Sequence, residues 1–159
     1  MKKCGILLLV LALLCASAAG CGAKEATTLH SFQDLSICIP SDYINLSDES
    51  FAQSLDFVFG KDPIAINGIR EEKTTFTAYG LDIDLQQYGD LLIKSNNVRS
   101  ALDEKDGIRY FSYESGDFTY IVTLWETEEA FWTVQAYCST KDYRTVKSDI
   151  WNILKSVTV

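Results

Sequence analysis

Three β-rich runs between residues 108 and 139 constrain the fold more than any other stretch of this chain. Residues 108–113, 118–125 and 131–139 are dense in β-branched and aromatic side chains, which strands favour. Ser115-Gly116 separates the first two runs, and Thr127-Glu128-Glu129 separates the last two. Short connections of this kind are typical of hairpins. The sequence therefore predicts a three-stranded antiparallel meander.

The two turns predict which side chains of the meander share a face. With Ser115 and Gly116 at the centre of the first turn, Tyr113 pairs with Phe118. A three-residue second loop pairs Leu124 with Trp132. The expected core face then consists of Phe111, Tyr113, Phe118, Tyr120, Val122, Leu124, Trp132, Val134, Ala136 and Cys138. The other face is half apolar, so we expect it to be covered as well, and a slip by one residue would mix the two sets.

The chain before the meander predicts short strands and two helices. Residues 28–39 form two strands with a bend at Gln33-Asp34, and Pro40 ends the second strand. Ser47 is the expected N-cap of a helix to about residue 57, because Phe51, Leu55 and Phe59 recur at helical spacing. Strands follow at residues 64–67 and 74–79, with a charged connection at 70–73.

A second helix begins at Asp82 or Asp84 and ends near residues 95–97. Its apolar stripe consists of Leu85, Tyr88, Leu91 and Leu92. Residues 98–102 form a further expected strand, and 103–107 a turn.

After the meander, Thr140 is the expected cap of a helix over residues 141–155, and residues 156–159 form a last short strand. Val146, Ile150 and Leu154 lie on one stripe of this helix, which we expect to cover the meander. The fold class predicted is α+β: mainly antiparallel sheet with helices packed on it in an αβα sandwich, as a single domain over residues 28–159.

The first twenty residues have the pattern of a secretory signal. Lys2 and Lys3 form a basic start, residues 6–14 an apolar core, and residues 16–20 a small-residue segment, which is too short for a transmembrane span. The run Leu14-Cys15-Ala16-Ser17-Ala18-Ala19-Gly20-Cys21 resembles the lipobox of bacterial lipoproteins, with Ala18 where that family usually has leucine. The resemblance implies acylation of Cys21 by diacylglycerol and palmitate, with residues 21–27 as a short tether. An ordinary secreted protein is the alternative.

The charge of the chain limits its partners. Its net charge is −8, and removal of Lys2 and Lys3 with the signal makes it two units more negative. Such a body repels nucleic acid and anionic headgroups. We therefore expect no nucleic acid partner, and a membrane contact only through the anchor at Cys21.

The two ends of the domain resemble PsbP-like proteins. The opening Leu35-Ser36-Ile37-Cys38-Ile39-Pro40-Ser41-Asp42-Tyr43 is similar to the strand, proline and aromatic entry of that family. The close is similar too, with a long aromatic hairpin, Asp142-Tyr143, an amphipathic helix and Ser156-Val157. The resemblance implies an extracytoplasmic, often lipid-anchored accessory or assembly factor, and it brings no shared catalytic residues.

The residues that could carry chemistry are few. His30 is the single histidine, and we interpret it as an exposed strand residue rather than a catalytic base. Asp82 and Asp84 lack the further ligands of a calcium loop and are better interpreted as acids at a helix N-terminus. We expect no metal and no cofactor.

The tip of the second hairpin is the candidate contact site for a partner. Glu126, Glu128 and Glu129 cluster there beside Trp125, Phe131 and Trp132. A solvated turn is the plain interpretation, and exposed aromatic residues among charges also suit recognition. Two functions follow: a non-enzymatic binding or accessory lipoprotein at the cell surface, or a small extracytoplasmic hydrolase with an unrecognised site. The first is favoured because the inventory of reactive residues is so thin.

Cys38 and Cys138 are the two cysteines that the mature domain would keep. Leu35, Ile37 and Ile39 alternate with Cys38, which therefore points to the opposite face of its strand. Cys138 is expected to point into the core. The sequence thus predicts two free thiols on opposite sides of a sheet, although a bulge would reverse the parity and permit a disulfide.

We predict that Cys21 is the mature N-terminus and that it carries lipid. Mass spectrometry of the membrane fraction should find an acylated Cys21 at the start of the chain, and Cys21→Ser should release the protein from that fraction. An unmodified protein in the medium with a different N-terminus would contradict this prediction.

Overall fold

The computed structural model describes residues 26–159, and its centre is a seven-stranded antiparallel sheet. The predicted signal peptide, Cys21 and residues 22–25 of the tether lie outside the described residues. The sheet has the strand order β3-β4-β5-β9-β8-β7-β6, and β1 and β2 form a separate hairpin. The strands are β1 (Thr27–Phe32), β2 (Leu35–Pro40), β3 (Ile44–Asn45), β4 (Phe57–Lys61), β5 (Ile64–Glu72), β6 (Asp103–Lys105), β7 (Ile108–Ser115), β8 (Phe118–Glu126) and β9 (Ala130–Ser139).

Helices lie on both faces of the sheet. They are α1 (Lys73–Ala78), α2 (Leu85–Ser95) and α3 (Thr140–Leu154), and a short 3-10 turn occupies Ser50–Ala52. Within residues 26–159, no helix is both long enough and apolar enough to cross a bilayer. The predicted α+β class, with the last helix packed on the meander, is confirmed.

Each face of the sheet has its own hydrophobic core. On one face, α3 and the β1–β2 hairpin enclose a large core that includes Ile37, Trp132 and Ile150, each with 0% exposure. On the other face, α2 covers a smaller core around Tyr88 and Phe131. The expectation that the second face would also be covered is therefore correct.

The first turn of the meander differs from its prediction without changing the faces. Ser115 pairs with Phe118, so Gly116 and Asp117 occupy the turn, and Gly116 has a φ of +58° that favours glycine. Tyr113 consequently pairs with Tyr120, two residues beyond its predicted partner. A shift by two residues keeps every side chain on its predicted face, because side chains alternate with a period of two.

The predicted register of the second hairpin is wrong by one residue, and this error does change which side chains share a face. Glu126 pairs with Phe131 instead of Ala130, so four residues separate the last paired positions where three were predicted. Thr127 closes this loop: its backbone N–H donates to the Ala130 carbonyl at 2.9 Å, and its hydroxyl accepts from the Ala130 N–H at 3.0 Å. A side-chain hydroxyl that replaces a turn hydrogen bond thus sets the longer loop.

The changed register divides the predicted core face between the two sides of the sheet. Val122 pairs with Gln135 instead of Val134, and Leu124 pairs with Thr133 instead of Trp132. The side chains of β9 that belong to the α3 core are Trp132, Val134, Ala136 and Cys138, whereas Val122 and Leu124 belong to the α2 core. The strands of the meander were correct, and the register of its second hairpin was wrong.

The helix predicted after Ser47 does not form. Ser47 instead accepts a hydrogen bond at 3.0 Å from the N–H of Val58, which fixes this segment beside β4. Phe57 and Phe59 are both buried in the α3 core with the alternation of a strand, while Phe51 is 63% exposed. The period-two pattern of Phe57 and Phe59 therefore overrides the helical spacing of Phe51, Leu55 and Phe59.

Two further predicted strands are wrong. Residues 74–79 belong mostly to α1, whose Phe76 packs edge-on against Tyr88 and Phe131, with ring centroids 5.8 Å away in each case. Residues 98–102 have no regular structure, and the short strand of this region is Asp103–Lys105. The charged segment 70–73 is the end of β5 and the start of α1 rather than a loop.

Most of the other elements agree with the sequence. The first two strands have the predicted bounds within one residue and turn at Gln33, which has a φ of 50°. The last helix is N-capped at Ser139, one residue before the predicted Thr140. The strand predicted at residues 156–159 does not form, and this segment contributes only a single bridge from Thr158 to Ser36.

Both cysteines are free thiols, as predicted. Cys138 is fully buried in the α3 core together with Leu35, Ile37 and Ile39, whereas Cys38 is half-buried on the outer side of the β1–β2 hairpin. Burial, and to a smaller extent the charge of Asp142, raises the pKa of the Cys138 thiol. The thiol is therefore held in its unreactive protonated form.

We predict that α3 is essential to the fold. Ile150 is 0% exposed in the α3 core, so Ile150→Ala should lower the free energy of unfolding by about 2–5 kcal/mol. Ser148→Ala changes an exposed residue of the same helix and should shift it by no more than about 0.5 kcal/mol. Chemical denaturation of both variants is the measurement, and similar values for the two would contradict this packing.

Candidate functional site

The sheet face beneath α2 holds the candidate functional site. Asp84 begins α2 with a capping box: its carboxylate accepts from the Gln87 N–H at 2.8 Å, and the Gln87 side chain accepts from the Asp84 N–H at 3.0 Å. This reciprocal pair satisfies two N–H groups that a helix start leaves free. The interpretation of Asp84 as a helix-terminal acid is confirmed.

A glycine lets α2 lie close to the sheet. A Cβ at Gly89 would lie 2.7 Å from Leu124 Cδ1 and 2.9 Å from Leu102 Cδ2, both too close for real contacts. Glycine in a helix interior is unfavourable by roughly 0.5–1 kcal/mol relative to alanine, and the close packing here explains its use.

Tyr88 connects α2 to the polar groups of the sheet. Its side chain is 1% exposed, and its ring stacks on Phe131 with centroids 4.6 Å apart. Its hydroxyl donates to Glu71 Oε2 at 2.5 Å and lies 2.9 Å from Thr133 Oγ1. Because a phenol has one proton, Thr133 must be the donor to Tyr88. Burial, followed by the contact with Glu71, raises the pKa of Tyr88, so it remains a donor.

Beside Tyr88, α2 and the sheet enclose a cavity of about 180 Å³, which we call the α2 cavity. Its walls are mostly apolar, and its polar groups come from β5, β7, β9 and the end of α2. The lining residues are Ile69, Glu71, Leu92, Asn96, Val98, Phe111, Tyr113, Val122, Thr133 and Gln135. Glu71 is the one residue among them with a carboxylate.

Next to the α2 cavity, the same sheet face continues as a row of aromatic rings, which we call the aromatic row. Tyr113 and Tyr120 stack with centroids 4.7 Å apart, and Tyr120 and Tyr137 with centroids 5.3 Å apart. Phe118 meets Tyr137 edge-on and is 44% exposed. Burial raises the pKa of Tyr113 and Tyr137, so their hydroxyls remain hydrogen-bond donors. The three tyrosines of the row are half-buried, so the row is partly open to solvent.

A second polar cluster, the Asp34 clasp, lies at the hairpin tip that the sequence had singled out. Arg70 donates to both carboxylate oxygens of Asp34, from Nε at 3.0 Å and from Nη2 at 3.2 Å. Trp132 Nε1 donates to Oδ1 and Thr127 Oγ1 to Oδ2, each at 2.7 Å. Three side chains, from β5, β9 and the turn between β8 and β9, thus meet at the carboxylate of Asp34. The clasp fixes the β1–β2 hairpin to the second hairpin of the meander.

Some residues of the predicted contact site form ion pairs with residues of the Asp34 clasp or with their neighbours. Glu126 pairs with Lys73 at 2.8 Å, and Glu129 lies 3.8 Å from Arg70 but is 79% exposed. Trp125 is half-buried, and its Nε1 donates to Thr123 at 3.1 Å. Glu128 is exposed at the tip. The acidic residues therefore lie at the tip, with Glu126 paired to Lys73, but the expectation of exposed aromatic residues beside them is wrong, because Phe131 and Trp132 are both 0% exposed.

His30 lies on β1, as predicted, but is half-buried rather than exposed. Its ring centroid is 4.6 Å from that of Phe59. Between residues 26 and 159, no group of three or more histidine, cysteine or acidic side chains is placed to hold a metal ion.

The sequence did not indicate Asp34, Arg70, Glu71 or Tyr88 as site residues. Asp34 and Arg70 are 36 residues apart, and Tyr88 and Thr133 are 45 apart. The alternation of β5, which places Glu71 and Ile69 on the face opposite Ile64 and Ile66, is the one signal that could have indicated the polar position of Glu71.

We predict that the Asp34 clasp stabilises the domain. Asp34→Asn removes the charge and presents an N–H to groups that are themselves donors, so it should lower the free energy of unfolding by about 1–3 kcal/mol. Asp42→Asn breaks an exposed pair with Lys61 and should cost less than about 1 kcal/mol. Equal losses in the two variants would contradict the role of the clasp.

The same contact predicts a pH dependence. The hydrogen bonds from Arg70 hold the pKa of Asp34 well below its ordinary value, against the opposing effect of burial, and those from Trp132 and Thr127 add to this. Because this pKa is lowered in the folded state, the ionised carboxylate contributes its full stabilisation at pH values above the unfolded-state pKa of about 3.9. The contribution decreases as the pH falls below that value. The stability difference between wild type and Asp34→Asn should therefore decrease below about pH 4.

Comparisons with known proteins identify the fold. No family model and no curated protein matches this chain. The solution structure of cyanobacterial PsbP (CyanoP) from Synechocystis sp. PCC 6803 matches with a TM-score of 0.58 and 16% identity, over 90% of this chain and 99% of that chain. The crystal structure of the Ran-binding protein Mog1p from Saccharomyces cerevisiae matches with a TM-score of 0.52 and 10% identity, over 86% of this chain and 96% of that one. The chain therefore has a PsbP-like α+β fold.

Proposed function

We propose that this chain is a lipid-anchored, extracytoplasmic binding or accessory protein that is not an enzyme. In this proposal its domain holds a protein partner on the sheet face beneath and beside α2. The observation that carries the proposal is the half-open state of this face, where the α2 cavity opens beside the aromatic row.

The physical properties of this face suit protein binding. Tyrosine offers a large, rigid contact area and a hydroxyl for hydrogen bonding, and it is enriched at the energetically important positions of interfaces. Tyr113, Tyr120 and Tyr137 are already stacked against one another, so little side-chain entropy remains to be lost when a partner binds. The face is thus pre-organised for contact.

The anchor follows from the lipobox-like run before Cys21. One acyl chain binds membranes only marginally, whereas two or more chains anchor a protein stably. The segment between Cys21 and β1 is short, and at about 3.3 Å per residue it spans no more than roughly 25 Å. A partner held by this domain would therefore lie close to the bilayer.

The fold comparison agrees with this proposal, since one neighbour is described as a Ran-binding protein and the other as a PsbP. The hairpin tip of Trp125, Glu126, Glu128 and Glu129 is a second candidate contact. Its available charge lies mainly at Glu128 and Glu129, because Glu126 pairs with Lys73.

Photo-crosslinking in intact membranes tests the proposed function. The photoreactive residue p-benzoylphenylalanine replaces Phe118 in the aromatic row, and in a matched variant it replaces Tyr79, an aromatic residue that is 82% exposed outside the row. We expect a discrete adduct from position 118 that is weak or absent from position 79. A third variant with the crosslinker at Glu128 reports on the hairpin tip.

Two results would contradict the proposal. Positions 118 and 79 could give the same adducts, which would indicate contact by random collision. Alternatively, neither position 118 nor position 128 could give an adduct in membranes where the acylated protein is present.

A further inference from the structure

We propose that the α2 cavity receives a lysine side chain from the protein partner, with its ammonium group on Glu71. This inference rests on the proposed binding function and names the chemistry by which the partner is recognised.

The size of the cavity suits one side chain. Pockets for drug-sized ligands measure roughly 300–1,000 Å³. The α2 cavity measures about 180 Å³ and is open to solvent beside the aromatic row. It therefore fits a single inserted side chain better than a cofactor.

The walls suit an alkyl chain. Leu92 and Val98 line one side of the cavity, and Phe111 and Val122 line the sheet side. Contact with the four methylene groups of a lysine would remove apolar surface on both partners from water, which favours binding. The charged end of such a side chain then needs a polar partner inside the cavity.

Glu71 provides that partner. It is the only charged residue among those that line the cavity, and no lysine or arginine is among them. Tyr88 donates to its Oε2 atom, and Thr133 donates to Tyr88, so the carboxylate is held by a hydrogen-bonded chain. Its Oε1 atom accepts no hydrogen bond from any side chain or backbone group of residues 26–159. One carboxylate oxygen is therefore positioned and available.

Aromatic rings and net charge favour the same ligand. Phe111 and Tyr113 both line the cavity, and an ammonium group near an aromatic face is attracted electrostatically to the ring. The chain has a net charge of −8, which attracts cationic partners at long range.

The hydrogen bonding of Glu71 favours lysine over arginine. Arginine binds carboxylates best through two parallel hydrogen bonds, one to each oxygen. Tyr88 already donates to Oε2 at 2.5 Å, so within residues 26–159 Oε1 is the oxygen of Glu71 that has no donor. A compact ammonium group needs only that one.

Methyl NMR of the full acylated chain in detergent micelles tests the inference. The probes are lysine, arginine and norleucine, each with an acetylated N-terminus and a methylamide C-terminus. We expect capped lysine at millimolar concentrations to shift the methyl resonances of Leu92, Val98 and Val122. Capped norleucine, which has the alkyl chain without the charge, should bind at least tenfold more weakly, and capped arginine should bind more weakly than lysine.

Variants distinguish the effect of the Glu71 carboxylate from the effect of the protein's overall negative charge. Glu71→Gln keeps an acceptor for Tyr88 and should weaken the binding of capped lysine at least tenfold. Glu114→Gln removes one charge from an exposed position on β7 and should leave binding unchanged. Val98→Phe fills the cavity with Glu71 intact and should also abolish binding. Each variant must keep the methyl spectrum of the core residues, which shows that it is folded.

The inference is overturned if norleucine or arginine binds as well as lysine, if Glu71→Gln binds lysine like wild type, or if millimolar lysine shifts none of these methyl groups. The proposed function has a separate test. If position 118 gives a crosslinked adduct but capped lysine does not bind, the protein binds its partner without inserting a lysine into the α2 cavity. Absence of both the crosslinked adducts and the lysine-induced methyl shifts would contradict both proposals.

Discussion

The central strand β9 determines the rest of the structure. It is hydrogen-bonded to β5 on one side and to β8 on the other, so its side chains face the two cores alternately. Trp132, on one side, is fully buried beneath α3 and the β1–β2 hairpin. Thr133 and Gln135, on the other, line the α2 cavity. The separation of a closed hydrophobic core from a half-open polar face follows from this alternation, and a slip by one residue would exchange them.

The register of β9 depends on groups that are distant in the sequence. The hydroxyl of Thr127 sets the loop before β9, and the same hydroxyl donates to Asp34 at 2.7 Å. Arg70, whose side chain is only 6% exposed, donates to both oxygens of that carboxylate from Nε and Nη2. An arginine so deeply buried needs a charged partner, because an unpaired buried charge is strongly destabilising. The Asp34 clasp therefore links the loop that sets the register to β5 and to the β1–β2 hairpin.

Local patterns in the sequence predict much of the fold and little of the site. The meander, the β1–β2 hairpin, the capped helix α2 and the amphipathic helix α3 all have strong local signals, and all are present. The register of the second hairpin depends on one threonine hydroxyl that no hydrophobic pattern contains. Gly68 is a further example: a Cβ there would lie 2.2 Å from the Phe57 ring, a contact that only the paired strands create. The α2 cavity depends on Glu71, Tyr88 and Thr133, which three separate elements bring together.

The β8–β9 register separates the closed core from the open face, and backbone NMR of the full chain tests this register most directly. Cross-strand NOEs are expected between the backbone protons of Val122 and Gln135, and between those of Thr123 and Val134. NOEs that instead link Val122 to Val134 and Leu124 to Trp132 would place Trp132 and Val134 on the face of α2. That result would contradict both the assignment of the two cores and the position of the α2 cavity.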